Sequence, residues 1–295
     1  MSRTLILRPT AKINLTLRVG PRRDDGFHEV RTLMQSISLH DTLTFSVRKG
    51  PFGLSCRMPG VPSDQSNLVW KAAAALWAAL GREGEPRDVH VKIEKSIPSQ
   101  AGLGGGSANA AAALMGLHTL WGGRLSRREL MRLAAGLGSD VPFFLVGGTA
   151  LATGRGEDLY PVEDVQKLGV VLIKPSFGVG TADAYRWLDE DRAAGLPDGV
   201  AGREVELGWP TGGVALQNDL TGPVARRHPG IQEIIDALVS EGAQGAQMSG
   251  SGSAVFGLFT ETGASRAARK LRRPDWLVTV ARTQGRRDAA RHVGL

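Results

Sequence analysis

A glycine-rich segment limits what this chain can fold into. It places four glycines in five positions and reads Pro98-Ser99-Gln100-Ala101-Gly102-Leu103-Gly104-Gly105-Gly106-Ser107-Ala108-Asn109. Alternating Val89, Val91 and Ile93 before it predict a strand, and residues 110–120 after it predict a buried helix. Glycines bring backbone N–H groups close to an anion, and a helix start adds unsatisfied donors and a partial positive charge. The order strand, glycine loop, helix therefore predicts a phosphate site.

Two better-known glycine motifs do not fit this segment. A dinucleotide fingerprint requires glycine where Ser107 stands. A Walker loop ends in Gly-Lys-Ser/Thr, and no lysine lies between Lys95 and Lys167. A flexible hinge is the structural alternative, and it is less favoured because a helix follows the glycines at once.

Length and composition predict a globular protein with two domains of ordinary size. The chain has 295 residues, of which 42% are hydrophobic. No apolar stretch reaches the length of a membrane span, and residues 1–12 do not resemble a targeting segment. Cys56 is the only cysteine, which excludes an intrachain disulfide and a cysteine-based metal site. These features favour a cytoplasmic protein.

The charge of the chain favours an anionic partner. The net charge is +7, which would suit a nucleic acid, a membrane surface or a phosphorylated metabolite. Basic residues cluster at 124–132 and 266–291, without the aromatic residues on which bases stack. A solvated basic surface is the favoured interpretation of both clusters. We therefore expect a small-molecule substrate, with no nucleic-acid or membrane partner.

Hydrophobic periodicity predicts a mixed α+β fold. Strands are expected at residues 13–19, 30–39, 43–47, 170–174, 254–259 and 276–281. Helices are expected at 66–80 with Ser66 as the cap, at 126–136 with a Ser126–Glu129 capping box, and at 182–189, 229–241 and 264–272. Residues 194–213 form a loop rich in glycine and proline. Without strict βαβ repetition, this order predicts two domains, 1–163 and 164–295, joined near Glu163.

Three separated segments have an informative order. They are Ala11-Lys12-Ile13-Asn14-Leu15, the glycine loop, and Gln247-Met248-Ser249-Gly250-Ser251-Gly252-Ser253-Ala254. This order resembles that of the GHMP kinases, which include galactokinase and the homoserine, mevalonate and phosphomevalonate kinases. The resemblance implies an N-terminal domain with a left-handed βαβ unit and a C-terminal ferredoxin-like domain. It also implies that the glycine loop wraps the phosphates of ATP and that the third segment borders the same cleft.

Further motifs indicate a substrate class within that family. Asp25-Gly26-Phe27-His28, Gly138-Ser139-Asp140-Val141-Pro142 and Asn218-Asp219-Leu220 resemble signatures of GHMP kinases that phosphorylate the 2-hydroxyl of the cytidyl diphosphate of methylerythritol, in the non-mevalonate isoprenoid precursor pathway. The resemblance implies that Asp140 accepts the hydroxyl proton and that Lys12 keeps this carboxylate ionised. From the residues alone, Asp140 could instead be a cap and Lys12 a solvated charge.

The resemblance implies a role for each matching residue. For ATP the residues are Asn67, Pro98, Ser99, Gln100, Ala101, Gly102, Leu103, Gly104, Gly105, Gly106, Ser107 and Ala108. For the substrate they are Asn14, Phe27, His28, Thr181 and Tyr185, and for the C-terminal glycine motif Ser249, Gly250, Ser251 and Gly252. Phe27 and Tyr185 are expected to stack on cytosine, and His28 to hydrogen-bond its edge. Core packing is the alternative for each of these three rings.

Two positions depart from the pattern of the relatives. Relatives usually carry Tyr where Phe27 stands, so stacking is retained while a phenol hydrogen bond is lost. Many carry Ser-Ser where this chain has Ser107-Ala108, so one hydroxyl is missing. Mg²⁺ often keeps several waters and binds chiefly through nucleotide phosphates, and Ser107 is the expected protein ligand. Gly104 and Gly105 are expected to approach the phosphates too closely to admit a Cβ atom.

Two other functions stay open at this point. One is another small-alcohol GHMP kinase, of the homoserine or mevalonate type. Phe27, His28 and Tyr185 argue against it, because a substrate without a nucleobase has no use for a stacking clamp. The other is a basic nucleic-acid-binding protein, since the N-terminal domain of the family resembles one in a ribosomal protein. Lys12, Asp140 and the glycine loop argue against it. The sequence does not indicate an oligomeric state.

Overall fold

The computed structural model describes residues 4–199, 202, 204–209 and 212–293. The strands are β1 (Thr4–Leu7), β2 (Thr10–Arg22), β3 (His28–His40), β4 (Thr42–Pro51), β5 (Gly53–Cys56), β6 (Arg87–Glu94), β7 (Thr149–Thr153), β8 (Asp158–Pro161), β9 (Gly169–Pro175), β10 (Glu204–Val205), β11 (Val214–Ala215), β12 (Gln217–Asn218), β13 (Gly245–Met248), β14 (Val255–Phe259) and β15 (Trp276–Arg282). The helices are α1 (Leu68–Ala79), α2 (Gly105–Leu120), α3 (Arg127–Leu137), α4 (Phe143–Val146), α5 (Thr181–Ala193), α6 (Thr221–Arg227), α7 (Gly230–Ser240), α8 (Glu261–Lys270) and α9 (Arg286–Val293).

One sheet lies entirely in the N-terminal half and has the strand order β1-β4-β6-β5. Strands β5 and β6 are parallel, and α1 connects them, because a parallel pair needs a crossover. Helix α2 packs beside α1 and against β4. A Cβ atom at Gly116 would lie 2.8 Å from Cζ of Phe45, and residues 110–113 are fully buried alanines. These small residues let α2 approach the sheet closely.

A second sheet, with the order β12-β2-β3-β7-β8, carries one wall of the candidate site. Side chains of a strand alternate between its faces. On β2, Ala11, Ile13 and Leu15 are fully buried in an apolar core that includes residues of β9 and β14. Lys12 and Asn14, between them in sequence, belong to the other face and are also buried. The apolar face therefore packs into the core and fixes the strand, and the polar face carries side chains that can take part in binding or catalysis.

The third sheet is antiparallel and has the order β13-β14-β9-β15. Helix α5 follows β9, and α8 connects β14 to β15, which gives the split βαβ arrangement of a ferredoxin-like domain. The expected two-domain α+β fold is thereby confirmed. Strand β12 comes from the C-terminal half yet pairs in parallel with β2. The domain boundary near Glu163 stays a prediction.

Most predicted elements are confirmed, and three helix starts are wrong. Helix α8 begins at Glu261, with Thr260 as its N-cap, rather than at residue 264. Helix α2 begins at Gly105 rather than at residue 110, because Gly104 adopts a left-handed conformation (φ 70°) as its N-cap. Helix α1 is capped by Asn67 instead of Ser66, since Oδ1 of Asn67 accepts from the N–H of Val69 at 2.9 Å. The capping box at the start of α3 is confirmed.

The segment 194–213 contains the short strand β10, which pairs with β11. Residues 200, 201, 203, 210 and 211 of this segment lie outside the described residues. In the part of the chain that the structure describes, none of the helices has the length and apolar character needed to cross a membrane.

A buried ion pair fixes the chain where β6 leads into the glycine loop. Asp41 is fully buried, and its carboxylate accepts from the ammonium of Lys95 and from the N–H groups of Ser96 and Ile97, at 2.7 and 2.8 Å. The Lys95 side chain is only 5% exposed. The three hydrogen bonds compensate for removing both charges from water.

We expect Asp41→Ala to lower the free energy of unfolding by about 3–5 kcal/mol, because it leaves the Lys95 ammonium buried without a partner. Urea denaturation followed by circular dichroism measures this change. Glu94→Gln is the matched control, since it removes the exposed partner of Lys92 and should change stability little. Equal losses in the two variants would contradict the prediction.

Candidate active site

A cleft of about 1190 Å³ lies where the glycine loop, β2, α5 and the turn before β14 meet. The predicted site residues that line it are Lys12, Asn14, Phe27, His28, Asn67, residues 98–107, Asp140, Thr181, Tyr185 and residues 250–252. Two further predicted residues, Ala108 and Ser249, are fully buried behind its wall. The structure thus brings segments from both halves of the chain to one cavity.

The glycine loop is held against the C-terminal half by backbone contact. Gly102 has a φ of 71°, and a Cβ atom there would lie 1.9 Å from the carbonyl oxygen of Ser249. The backbone N–H groups of Ser253 and Ala254 donate to the carbonyls of Gln100 and Ala101, at 3.2 Å each. Only glycine fits at position 102, because both the backbone conformation and the available space exclude a side chain.

The start of α2 forms one end of the cleft. Gly104 is the N-cap and offers no side chain, so backbone N–H groups of the first turn are left without a side-chain cap among the described residues. The positive end of the helix dipole lies at the same place. An anion such as a phosphate fits this end.

The structure gives Gly104 and Gly105 a reason to be glycine that is separate from the expected approach of the phosphates, which stays a prediction. A Cβ atom at Gly104 would lie 2.6 Å from the ring of Phe144, and one at Gly105 would lie 2.9 Å from Cγ2 of Ile97. Protein side chains therefore exclude a Cβ atom at both positions, whatever binds in the cleft. At Gly106 the nearest atom would be Cδ1 of Leu68, at an ordinary 3.7 Å.

Lys12 and Asp140 face each other across the cleft. The Lys12 side chain is 4% exposed, and its Nζ lies 3.5 Å from Oδ2 of Asp140, whose side chain is 38% exposed. Lys12 also donates to Oδ1 of Asn14 at 2.6 Å. The amide of Asn14 in turn donates to Oγ1 of Thr32 at 2.7 Å, which fixes its orientation. A buried cation thus lies beside a carboxylate that an incoming molecule can reach.

The C-terminal glycine motif lies against Gly102 of the glycine loop and beside Lys12. Ser249 donates from Oγ to the carbonyl of Gly102 at 3.1 Å, and its Oγ accepts from the N–H of Asn14 at 3.4 Å. Gly250 has a φ of 55°, and a Cβ atom there would lie 3.3 Å from Nζ of Lys12. Asn218 donates to the carbonyls of Met248 and Gly250, at 2.9 and 2.7 Å. The motif Asn218-Asp219-Leu220 therefore supports this turn.

Three aromatic rings form another end of the cleft lining. Phe27 is 53% exposed, and the guanidinium carbon of Arg155 lies 5.1 Å from its ring centroid. The ring of His28 is tilted by 31° against that of Tyr185, with 5.2 Å between centroids. Burial and the charge of Asp140 raise the pKa of the Tyr185 phenol, which keeps it neutral.

Polar contacts on α5 complete this end of the cleft. Oγ1 of Thr181 lies 3.1 Å from Oγ of Ser251, and Nε2 of His28 lies 2.8 Å from Oδ1 of Asp189. The contact between Thr181 and Ser251 joins α5 to the C-terminal glycine motif. The expected substrate residues and the glycine motif therefore form one continuous wall.

Sequence reasoning did not predict several polar residues that line the cleft, among them Lys95, Asn109, Arg155 and Asp189. Asn109 is buried, and its Oδ1 atom has no hydrogen-bond partner among the described residues. Its place in the glycine segment was the only signal for it, whereas no motif pointed to Arg155 or Asp189. Asn67 does line the cleft, but its amide already caps α1 and donates to the carbonyl of Pro62 at 2.7 Å.

Comparison with known proteins identifies the family of this chain. The family description "GHMP kinases N terminal domain" matches residues 67–148, and "GHMP kinases C terminal" matches residues 201–274. A 4-diphosphocytidyl-2-C-methyl-D-erythritol kinase of Pelotomaculum thermopropionicum is 44% identical over 92% of this chain and 96% of its own length. One of Alkaliphilus metalliredigens is 40% identical over 89% of this chain and 90% of its own length.

Solved structures agree with the sequence matches. A crystal structure of 4-(cytidine 5'-diphospho)-2C-methyl-D-erythritol kinase superposes on this chain with a TM-score of 0.73 and is 34% identical in sequence. The match covers 97% of this chain and 100% of that one. A homoserine kinase from Cytophaga hutchinsonii superposes with a TM-score of 0.67 at 18% identity, covering 96% of this chain and 95% of that one, and shows the shared fold alone. The chain belongs to the GHMP kinase family, among its 4-diphosphocytidyl-2-C-methyl-D-erythritol kinases.

Proposed function

We propose that this protein transfers the γ-phosphoryl group of ATP to the 2-hydroxyl of 4-diphosphocytidyl-2-C-methyl-D-erythritol, in the non-mevalonate route to isoprenoid precursors. The observation that carries the proposal is the pairing of Lys12 with Asp140 in a cleft that also contains an uncapped glycine-rich helix start. Relatives named for this substrate are 40–45% identical to the chain over most of its length. A nucleotide and a cytidyl substrate would occupy opposite ends of the cleft.

The donor end is suited to ATP. The first turn of α2 offers backbone N–H groups and the positive end of a helix dipole to the phosphates. Lys95 also lies at this end, since its Nζ lies 3.0 Å from where a Cβ atom of Gly105 would be, and its charge is already paired with Asp41. Backbone donors hold phosphate oxygens without requiring particular side chains, which explains why small residues predominate here.

The donor set fits Mg²⁺ bound together with ATP. No cluster of three or more His, Cys, Asp or Glu side chains suited to a metal ion exists among the residues described. Mg²⁺ needs few protein ligands, because phosphate oxygens and waters complete its octahedron. Ser107 lines the cleft and would contribute its hydroxyl. When bound, the ion neutralises charge on the β- and γ-phosphates.

The acceptor chemistry follows from Lys12 and Asp140. Asp140 takes the proton of the tertiary hydroxyl while the hydroxyl oxygen forms a bond to the γ-phosphorus of ATP. The bond between the γ-phosphorus and the β,γ-bridging oxygen breaks at the same time, and ADP leaves. Lys12 is held by Asn14 and Asp140, 2.6 and 3.5 Å away, so its charge is already in position as negative charge develops. The proposal fails if the purified protein consumes ATP with homoserine or mevalonate but not with the cytidyl substrate.

Asp140→Asn should lower kcat by roughly 10²–10⁴-fold, the range expected for a lost general base. Binding of ATP should stay unchanged in calorimetry, because the first turn of α2 is intact. Asp158→Asn is the matched control, since Asp158 is an exposed carboxylate that does not line the cleft. A kcat for Asp140→Asn within a few-fold of the parent value would remove Asp140 from the mechanism.

Gly106→Ala should weaken ATP binding by about tenfold, equivalent to ~1.4 kcal/mol. The free protein has room for the added methyl group, so thermal stability should not fall, and the loss would report contact with the phosphates. Gly136→Ala in α3 is the matched control, because it adds a methyl group in open space away from the cleft. Equal ATP affinity in both variants would show that the phosphates do not contact Gly106.

Phe27→Ala should raise the dissociation constant of the cytidyl substrate by roughly ten- to a hundred-fold, because a stacked base is worth about 1–3 kcal/mol. ATP affinity should not change, and Phe27→Tyr should be nearly neutral. Tyr160→Ala is the matched control, since Tyr160 is equally exposed but does not line the cleft. Substrate binding that is as tight in Phe27→Ala as in Tyr160→Ala would exclude the clamp.

A further inference from the structure

Asp189 on α5 contacts His28, the residue expected to hydrogen-bond the base. Oδ1 of Asp189 lies 2.8 Å from Nε2 of His28. The His28 side chain is 6% exposed and that of Asp189 is 42% exposed, and both residues line the cleft. The contact joins the start of β3 to a helix of the C-terminal half, so the orientation of the imidazole is set from outside its own strand.

The contact determines which ring nitrogen carries a hydrogen. An ionised carboxylate only accepts, so Nε2 of His28 is the donor to Asp189. In a neutral imidazole the other nitrogen is then an acceptor. Among the described residues, Nδ1 of His28 has no hydrogen-bond partner of its own. It is therefore left as an acceptor for a molecule in the cleft.

The other acids of α5 do not share this arrangement. Asp183 and Glu190 each contact the exposed guanidinium of Arg186, at 2.9 Å. The buried carboxylate of Asp191 pairs with Arg226 and Arg227. Asp189 instead contacts a buried imidazole. The ring of Tyr185, one turn earlier on α5, lies 5.2 Å from that of His28 and limits its tilt. One helix thus provides both a stacking ring and the carboxylate that orients the imidazole.

We propose that Asp189 is a positioning residue that makes His28 select cytosine over uracil, an inference that rests on the proposed function. The 4-amino group is the only hydrogen-bond donor on the pairing edge of cytosine, so an acceptor at Nδ1 can pair only with it. Uracil presents a carbonyl oxygen at that position, and two acceptors repel each other. A site built for one hydrogen-bonding pattern rejects the analogue that lacks it.

Asp189→Asn tests the proposal with little change in shape. An asparagine in place of the carboxylate can donate to Nε2 and favour the tautomer with hydrogen on Nδ1. The ratio of kcat/KM for the cytidyl substrate to that for its uridyl analogue should fall roughly tenfold, the value of one hydrogen bond. Asp183→Asn, which removes an exposed carboxylate from the same helix, should keep the parent ratio. An unchanged ratio in Asp189→Asn overturns the proposal.

Nitrogen NMR of the histidine rings gives a second, independent measurement. His28 is one of six histidines, and its signals are assigned from their loss in His28→Gln. In the parent protein with the cytidyl substrate bound, we expect hydrogen on Nε2 and none on Nδ1. In Asp189→Asn, the Nδ1-protonated form should become populated. A parent ring with hydrogen on Nδ1, whether neutral or protonated at both nitrogens, overturns the proposal.

Assays of the parent protein distinguish a failure of the proposed function from a failure of the role of Asp189. If the parent protein does not phosphorylate the cytidyl substrate, the proposed function fails and this inference fails with it. If the parent protein acts on that substrate and prefers it to the uridyl analogue, while Asp189→Asn keeps the same preference, only the role of Asp189 fails.

Discussion

The close approach of Gly102 to Ser249 is the contact on which the cleft depends. It joins two segments far apart in the chain through backbone atoms, with a separation that leaves no space for a Cβ atom. The hydroxyl of Ser249 then bonds both Gly102 and the backbone of Asn14, so three separate motifs converge on one serine. Any side chain at position 102 would push the glycine loop away from Lys12 and open the site.

Rigid surroundings explain how a lysine can be buried beside an accessible carboxylate. The ammonium of Lys12 has lost its water, and Asn14 and Asp140 replace part of that solvation. The amide of Asn14 is itself held by Thr32, so this partner of the lysine does not rotate freely. Such preorganised charge is effective in catalysis because no reorganisation is needed as negative charge develops.

The sequence predicted the sheets better than the site. Alternation revealed β2 and β4 because each has an apolar face that must be buried, and this pattern is local. The start of α2 was misplaced because glycine is a poor helix former, and only the left-handed conformation of Gly104 shows where the helix begins. Lys12 and Asp140 were named through family resemblance, since no local pattern places them 3.5 Å apart. Asp189 was missed because its role comes entirely from its contact with His28.

In the proposed function, the donor and acceptor ends of the cleft use different physical means of recognition, and this separation suits a two-substrate transferase. The donor end relies on backbone N–H groups and a helix dipole, which accept any polyphosphate of suitable shape. The acceptor end relies on Phe27, Tyr185 and an oriented imidazole, which respond to the pattern of donors on a base. Burial and then the charge of Asp140 raise the pKa of Tyr185, so the charge of Asp140 is felt at the acceptor end. Under the proposed function, selectivity comes from the acceptor end, and the glycine loop binds phosphates without discriminating among bases.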